Sequence, residues 1–202
     1  MWAKVEGASI TELIPRPKAM TIGDTQYPHN IFSLWSEADL KGIGIYSITI
    51  DNTNLKDKEY YQNTDITYTW DSDNETVTGT YGTATARPLA DVLYTAEDES
   101  DGLGTEGDIK QYGLKDRHKG LINKQAYSAL QDSDWMVIRA AEGGTAVPSA
   151  WTTYRAAVRT KANDMQTLID NVANVDALAA LYIYNDDSPS VRPLGEFPDK
   201  PS

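Results

Sequence analysis

The spacing of the apolar residues changes at an acidic, glycine-rich segment near the middle of the chain, and this change most constrains the fold. Before the segment, apolar and polar residues alternate, as in strands with one buried face. After it, apolar residues recur at spacings of three and four, as in amphipathic helices. The sequence therefore predicts an α+β protein, with an antiparallel β-rich N-terminal half followed by a C-terminal helical hairpin or bundle.

The acidic segment also predicts the domain boundaries. Residues 97–108 are rich in Asp, Glu and Gly, and Leu103 is the single large apolar side chain among them. Burial of so little apolar surface does not offset the entropy cost of ordering, so we expect a flexible tether between two binding halves. The predicted organisation is a β-rich domain with one short helix (1–96), an acidic linker (97–110), a helical domain (111–184) and a Pro-rich tail (185–202).

Strand signals dominate the first half of the chain. The alternating patterns predict a hairpin of residues 2–6 and 10–14, a short extended piece at 20–22 and a strand at 45–50. Ser36, with Asp39 three positions later, predicts an N-capped helix over residues 37–41.

The clearest hairpin signal lies at residues 66–70 and 77–81. Aromatic and apolar residues alternate with threonines in both arms, and a turn rich in Asp and Asn separates them. We interpret this segment as an antiparallel ribbon whose exposed aromatic face consists of Tyr68, Trp70 and Tyr81.

Helical patterns dominate the second half. Apolar residues predict helices over residues 114–130, 135–142, 150–173 and 176–182. Ser133 or Asp134 is expected to cap the second of these helices, and Gly143 and Gly144 to end it. The long third helix suits either a hairpin with an upstream helix or a self-associating coil, and we favour the hairpin.

Charge and composition exclude several classes of partner. The net charge is −12 at pH 7, which would repel a nucleic-acid backbone or an anionic membrane surface. No cysteine is present, so disulfides and sulfur-ligated zinc are excluded. The sequence contains neither a signal-peptide pattern nor an apolar run long enough to span a bilayer, so a soluble protein is expected.

Two segments match motif patterns without the context that those motifs require. Residues 102–107 read G-x-G-x-x-G, but no strand precedes them, and Glu106 and Asp108 would repel a pyrophosphate. Residues 71–75 resemble the start of a calcium loop, but Thr76 and Gly82 occupy the positions that need glycine and glutamate. We therefore predict neither a cofactor nor a metal site.

The residues that carry catalysis in known motifs are sparse. His29 and His118 are the two histidines, and neither lies in a metal-ligand or general-base pattern, so we interpret both as structural. Serine nucleophile elbows, P-loops and H-E-x-x-H motifs are absent. We predict that the protein is not an enzyme, although a catalytic carboxylate pair of the glycosidase type stays open as an alternative.

Two regions resemble a known group of proteins. Residues 134–142 (DWMVIRAAE), followed by Val147, Pro148 and residues 151–159 (WTTYRAAVR), resemble the C-terminal helical module of bacteriophage tail-fibre and tail-fibre-assembly proteins. Residues 27–46 are similar to the leading segment of phage tail proteins of that group, and the Pro-rich C-terminal end also fits. The resemblance implies an assembly role in a tailed phage and brings no catalytic residues.

On this resemblance, we expect a structural component of the virion: a tail fibre, fibre-adaptor or tail-tip subunit made in the host cytoplasm. Its expected partners are other phage tail proteins and copies of itself in a trimer or ring. Two alternatives stay open, namely a tail-fibre assembly chaperone and a receptor- or carbohydrate-binding module that uses the aromatic hairpin face.

Residues of the helical half are the candidates for assembly and packing. The aromatic and aliphatic candidates are placed to join the short helix to the long one, and the arginines to pair with Glu142 and Asp134 or to cross an interface. The set consists of Trp135, Ile138, Arg139, Trp151, Tyr154, Arg155 and Arg159.

Overall fold

The structure is a computed structural model that describes residues 1–201 and divides into two compact units, Met1–Thr85 and Ala86–Ser202. The first unit is β-rich and the second contains the long helices, so the predicted α+β class is confirmed. The boundary lies between residues 85 and 86, however, and not at the acidic segment. A short strand, Thr85–Ala86, spans it.

The first unit is built on a five-stranded sheet with short helices beside it. Its strands are β1 (Trp2–Glu6), β2 (Ser9–Ile14), β3 (Met20–Ile22), β4 (Thr25–Tyr27), β5 (Ile45–Asp51), β6 (Tyr61–Gln62), β7 (Ile66–Asp71) and β8 (Thr76–Tyr81). Its helices are α1 (Ile31–Leu34) and α2 (Glu37–Gly42). The predicted capping box starts α2: Asp39 N–H donates to Ser36 Oγ at 3.2 Å, and Ser36 N–H donates to Asp39 Oδ2 at 3.1 Å.

The strand order in the large sheet is β2-β1-β5-β8-β7. Three of its pairs are antiparallel, as predicted, but β5 and β8 run parallel, with Ile48 opposite Val77. A parallel pair needs a long crossover connection, and residues 52–75, which include β7, supply it. The sheet curls, which brings β7 close to β2.

Two small cores form in this unit. In one, α1 and α2 contribute Ile31, Phe32 and Leu40, which pack with Ile14 and Ile45 of the sheet. The other contains Ala3, Val5 and Val77, with Tyr46 and Trp70 among the partly buried residues around it. Strand periodicity explains the division, because alternate residues of a strand point to opposite faces.

The predicted exposed aromatic face of the β7–β8 hairpin is wrong, because this face packs. The rings of Trp70 and Tyr46 have centroids 4.4 Å apart, and Trp70 lies against the Val77 core. Tyr68 lies over Gly79, where a Cβ would come within 2.9 Å of its ring. Tyr68, Trp70 and Tyr81 are all partly buried.

The second unit begins with a small folded segment where a flexible linker was predicted. The strand Thr85–Ala86 at the boundary is β9. The elements of the folded segment are β10 (Val92–Leu93), α3 (Ala96–Ser100) and β11 (Ile109–Gln111). Asp98 N–H donates to Thr95 Oγ1 at 3.2 Å, Thr95 N–H donates to Asp98 Oδ2 at 3.0 Å, and Lys110 Nζ lies 2.6 Å from Asp98 Oδ1. These polar contacts order the segment with little apolar burial, so the linker prediction for 97–110 does not hold.

Three helices follow: α4 (Leu114–Ala141), α5 (Ser149–Asn171) and α6 (Val175–Ala180). The sequence predicted two helices where α4 is continuous, because Ser133 or Asp134 was expected to cap a second helix. The predicted end is correct. Gly143 has a φ of 84°, Gly143 N–H donates to Ala140 O, and Gly144 N–H donates to Arg139 O, as in a Schellman motif.

The core of the second unit lies along the α4–α5 hairpin. Ile122 of α4 and Val158, Met165 and Ile169 of α5 are buried, and α6 adds Leu178. Residues 185–201 are not a free tail, because Leu194 is fully buried and its N–H donates to Leu181 O at 3.0 Å. Among residues 1–201, no helix has the length and apolar character to cross a membrane.

The stability of the acidic segment is expected to depend on pH. The hydrogen bond from the Lys110 ammonium, and to a smaller extent that from the Thr95 N–H, lowers the pKa of Asp98 from 3.8 to about 2. Because the folded pKa is lowered, this contact stabilises the segment above about pH 4 and is lost as the pH falls towards 2. We expect an NMR titration of the Asp98 carboxyl group to show a midpoint near 2.

A charge-removing variant provides the control. Lys110→Gln should raise the Asp98 midpoint towards its ordinary value, whereas Lys124→Gln, on the exposed side of α4, should leave it unchanged. An Asp98 midpoint near 3.8 in the unmodified chain would contradict the role given to Lys110.

Candidate functional site

The structure divides the predicted assembly and packing residues into two groups. Tyr154 is buried, and Trp151 and Arg155 are half-buried where α5 packs on α4. Trp135 and Ile138 lie on the opposite side of α4 and are exposed. The predicted short helix is part of the continuous α4, so the α5 group packs on α4 itself, and Trp135 and Ile138 take no part in that packing.

A polar clamp joins the two long helices at Arg155. Its Nη1 atom donates to Leu130 O at 2.9 Å and to Ser133 Oγ at 2.6 Å, and it lies 2.8 Å from Asp134 Oδ1. Ser133 is fully buried and donates to Leu130 O at 2.8 Å. The predicted pairing of Arg155 with Asp134 is confirmed, and Ser133 is a buried mid-helix residue that contacts α5 rather than a cap.

Aromatic contacts extend the clamp along α5. The rings of Trp151 and Tyr154 meet edge to face, with centroids 5.7 Å apart, and Tyr154 Oη donates to Ala129 O at 3.3 Å. These contacts hold the middle of α4 at several points, so its outer side is presented on a well-supported helix.

The other two arginines take different positions. The Arg139 guanidinium stacks on the Trp135 ring, 4.7 Å from its centroid, and does not pair with the predicted Glu142. Its Nε atom is buried and has no hydrogen-bond partner in the part of the chain that the structure describes. Arg159 is exposed on α5.

The exposed side of α4 carries a group of large apolar side chains. Tyr127 is 64% exposed, Trp135 54% and Ile138 59%, although aromatic and aliphatic side chains usually have larger buried fractions. Lys124 and Glu142 lie exposed near the two ends of the group. We call this side the outer face of α4, defined by Lys124, Tyr127, Ser128, Gln131, Trp135, Ile138 and Glu142.

The outer face has the composition of a protein-binding surface. Trp, Tyr and Arg are the residue types that contribute most to binding at interfaces, and here Trp135 lies between Tyr127 and the stacked Arg139. A contiguous apolar group bordered by polar residues marks an interaction site more often than scattered apolar residues do.

Sequence reasoning missed Tyr127. Its helix was predicted from the stripe that contains His118 and Ile122, which faces the core, and Tyr127 lies off that stripe. The signal was nevertheless present, because Tyr127 and Trp135 are two helical turns apart and project from similar sides of a continuous helix.

The two histidines lie apart from the outer face. His118 is buried in the second unit, with Nδ1 2.7 Å from Tyr182 Oη, and His29 is exposed in the first unit. No group of three or more His, Asp or Glu side chains that could hold a metal ion occurs within residues 1–201.

Comparisons with known proteins return no match to a protein-family model, a curated protein or a solved structure. The similarity to phage tail-fibre and tail-fibre-assembly proteins therefore stays a prediction from the sequence.

The Arg155 clamp is expected to contribute to the free energy of unfolding. Arg155→Met should lower the free energy of unfolding by about 1–3 kcal/mol, because the buried Ser133 hydroxyl and the Leu130 carbonyl lose a charged donor. Arg159→Met is the matched control and should change the value by less than about 0.5 kcal/mol, because Arg159 is exposed. Equal effects of the two substitutions in urea denaturation would contradict the clamp.

Proposed function

We propose that this protein is a structural component of a tailed bacteriophage virion, namely a tail-fibre, fibre-adaptor or tail-tip subunit that acts by protein–protein assembly. The observation that carries the proposal is the exposed apolar outer face of α4, with Trp135 and Ile138 each more than half exposed. These two residues belong to the segment, residues 134–142, on which the resemblance to phage tail proteins rests.

The support of α4 favours an assembly role. The Arg155 clamp and the buried hairpin core support the middle of α4, and the Schellman turn ends the helix. A surface that is rigid before binding loses little conformational entropy on binding. The partners on this proposal are other phage tail proteins and further copies of the chain in a trimer or ring, located in the tail of the virion.

The alternative is a tail-fibre assembly chaperone. An exposed apolar face also suits a protein that covers a fibre surface transiently and then leaves it, so the outer face alone fits both roles. The carbohydrate-binding alternative depended on the hairpin aromatics, and Trp70 packs against Tyr46 and the Val77 core. We therefore do not propose it.

The test is the protein content of purified virions. Quantitative mass spectrometry should find the chain in fixed ratio to other tail proteins, and Trp135→Ala should lower its incorporation at least about tenfold, as expected when an interface loses a central aromatic residue. Tyr112→Ala is the matched control, because Tyr112 is similarly exposed at 56% but lies outside α4. Its incorporation should be unchanged.

Two results would decide against the proposal. A chain found in infected-cell lysate and missing from the virions would favour the chaperone. Equal incorporation of the Trp135→Ala variant and the unmodified chain would show that the outer face is not the assembly surface.

A further inference from the structure

The outer face of α4 repeats with the spacing of a helix–helix seam. Lys124, Ser128, Gln131, Trp135, Ile138 and Glu142 follow one another at alternating intervals of four and three residues. Two helices pack along such a seam because the alternation keeps the same side of each helix facing the other. The buried residues of α4, including Ile122 and Ala126, lie on its other side, so α5 does not occupy this seam.

The charges at the two ends of the seam are self-complementary. Lys124 in α4 and Glu142, the C-cap residue directly after α4, are equally distant in sequence from residue 133, and both are exposed. Neither side chain has an ion-pair partner within residues 1–201. In an antiparallel pair about a two-fold axis level with residue 133, Lys124 of each copy lies opposite Glu142 of the other. A parallel pair would instead place like charges together.

The middle of the seam follows the same symmetry. Trp135 of one copy lies opposite Gln131 of the other, and Ser128 lies opposite Ile138. The two Trp135 side chains therefore flank the axis, at the centre of the contact, where binding energy is concentrated in most interfaces.

Two acidic residues near the axis are neutralised within each chain. Asp134 pairs with Arg155 at 2.8 Å, and Asp132 pairs with Lys200. Without these cations, the symmetric approach of two copies would bring four carboxylates close together. Charge therefore opposes antiparallel pairing less than the acidic composition of the chain suggests.

We propose that two copies of this chain pair antiparallel through the outer face of α4, with Trp135 at the centre and a Lys124–Glu142 ion pair at each end. The contact is small and includes polar residues in its seam, so it is reversible, with a dissociation constant on the order of 10 µM. The inference assigns the self-association to a two-fold pair rather than to the trimer or ring, and it rests on the proposed assembly role for its biological setting.

Analytical ultracentrifugation of the purified full chain tests the pairing. At about 100 µM the unmodified chain should be largely dimeric, since this concentration exceeds the expected dissociation constant. Trp135→Ala should be monomeric at this concentration, whereas Tyr112→Ala should still dimerise. Both side chains are exposed, so circular dichroism should show equal helix content in the two variants.

Charge reversal tests the antiparallel geometry. Lys124→Glu alone and Glu142→Lys alone should each weaken self-association at least about tenfold, because like charges then meet at both ends of the pair. An equimolar mixture of the two variants should restore dimers that contain one copy of each. The double variant Lys124→Glu/Glu142→Lys should dimerise like the unmodified chain.

Several outcomes would overturn the pairing. They are a monomeric unmodified chain under these conditions, dimers that persist in Trp135→Ala, or charge-reversal variants that fail to recover when mixed. The test separates this inference from the proposed function: a dimer that is absent from virions contradicts only the tail assignment, and a virion protein that is monomeric in solution contradicts only the pairing.

Discussion

The Arg155 clamp is the interaction on which the helical unit and its candidate surface depend. One guanidinium nitrogen satisfies Leu130 O and the buried Ser133 hydroxyl while it pairs with Asp134. The Ser133 hydroxyl is buried with both kinds of hydrogen bond made, because it donates to Leu130 O within α4 and accepts from Arg155 of α5. The clamp fastens α5 to the middle of α4, and α4 carries both Tyr127 and Trp135 as one continuous helix.

Polar contacts also stabilise other parts of the chain. In the acidic segment, the Thr95–Asp98 capping box and Lys110 order a short helix that buries no side chain fully. At the C-terminal end, Leu194 is buried, while the nearby Arg192 pairs with Glu196 at 2.7 Å and Lys200 pairs with Asp132. A net charge of −12 is compatible with folding because cations are placed where acidic residues would otherwise repel one another.

Local signals in the sequence predicted the features that depend on neighbouring residues. The Ser36–Asp39 cap, the Gly143–Gly144 helix end, both main hairpins and the α+β class follow from patterns within a few residues. Two of the failures involve long-range contacts, whereas the linker prediction overlooked the local Thr95–Asp98 capping box. Ser133 looks like a cap until Arg155 is brought to it, and Trp70 looks exposed until the sheet curls over the Val77 core.

The outer face of α4 was predictable only in part, because some of its residues share a face only in a continuous helix. Trp135 and Ile138 were singled out from their local pattern, but Tyr127 and the matching positions of Lys124 and Glu142 emerge only when α4 is one helix. The parallel β5–β8 pair was similarly hidden, because pairing across residues 52–75 leaves no signal in either strand alone.

In the proposed pairing, the outer face of α4 joins copies of this chain in an antiparallel arrangement. Because the chain contains no cysteine, engineered cysteines report the contact directly. Chains carrying Ser128→Cys, mixed with chains carrying Ile138→Cys, should form a disulfide-linked pair under mild oxidation, whereas either variant alone should cross-link poorly. Efficient cross-linking of Ser128→Cys chains with one another, or no cross-linking in the mixture, would contradict the account.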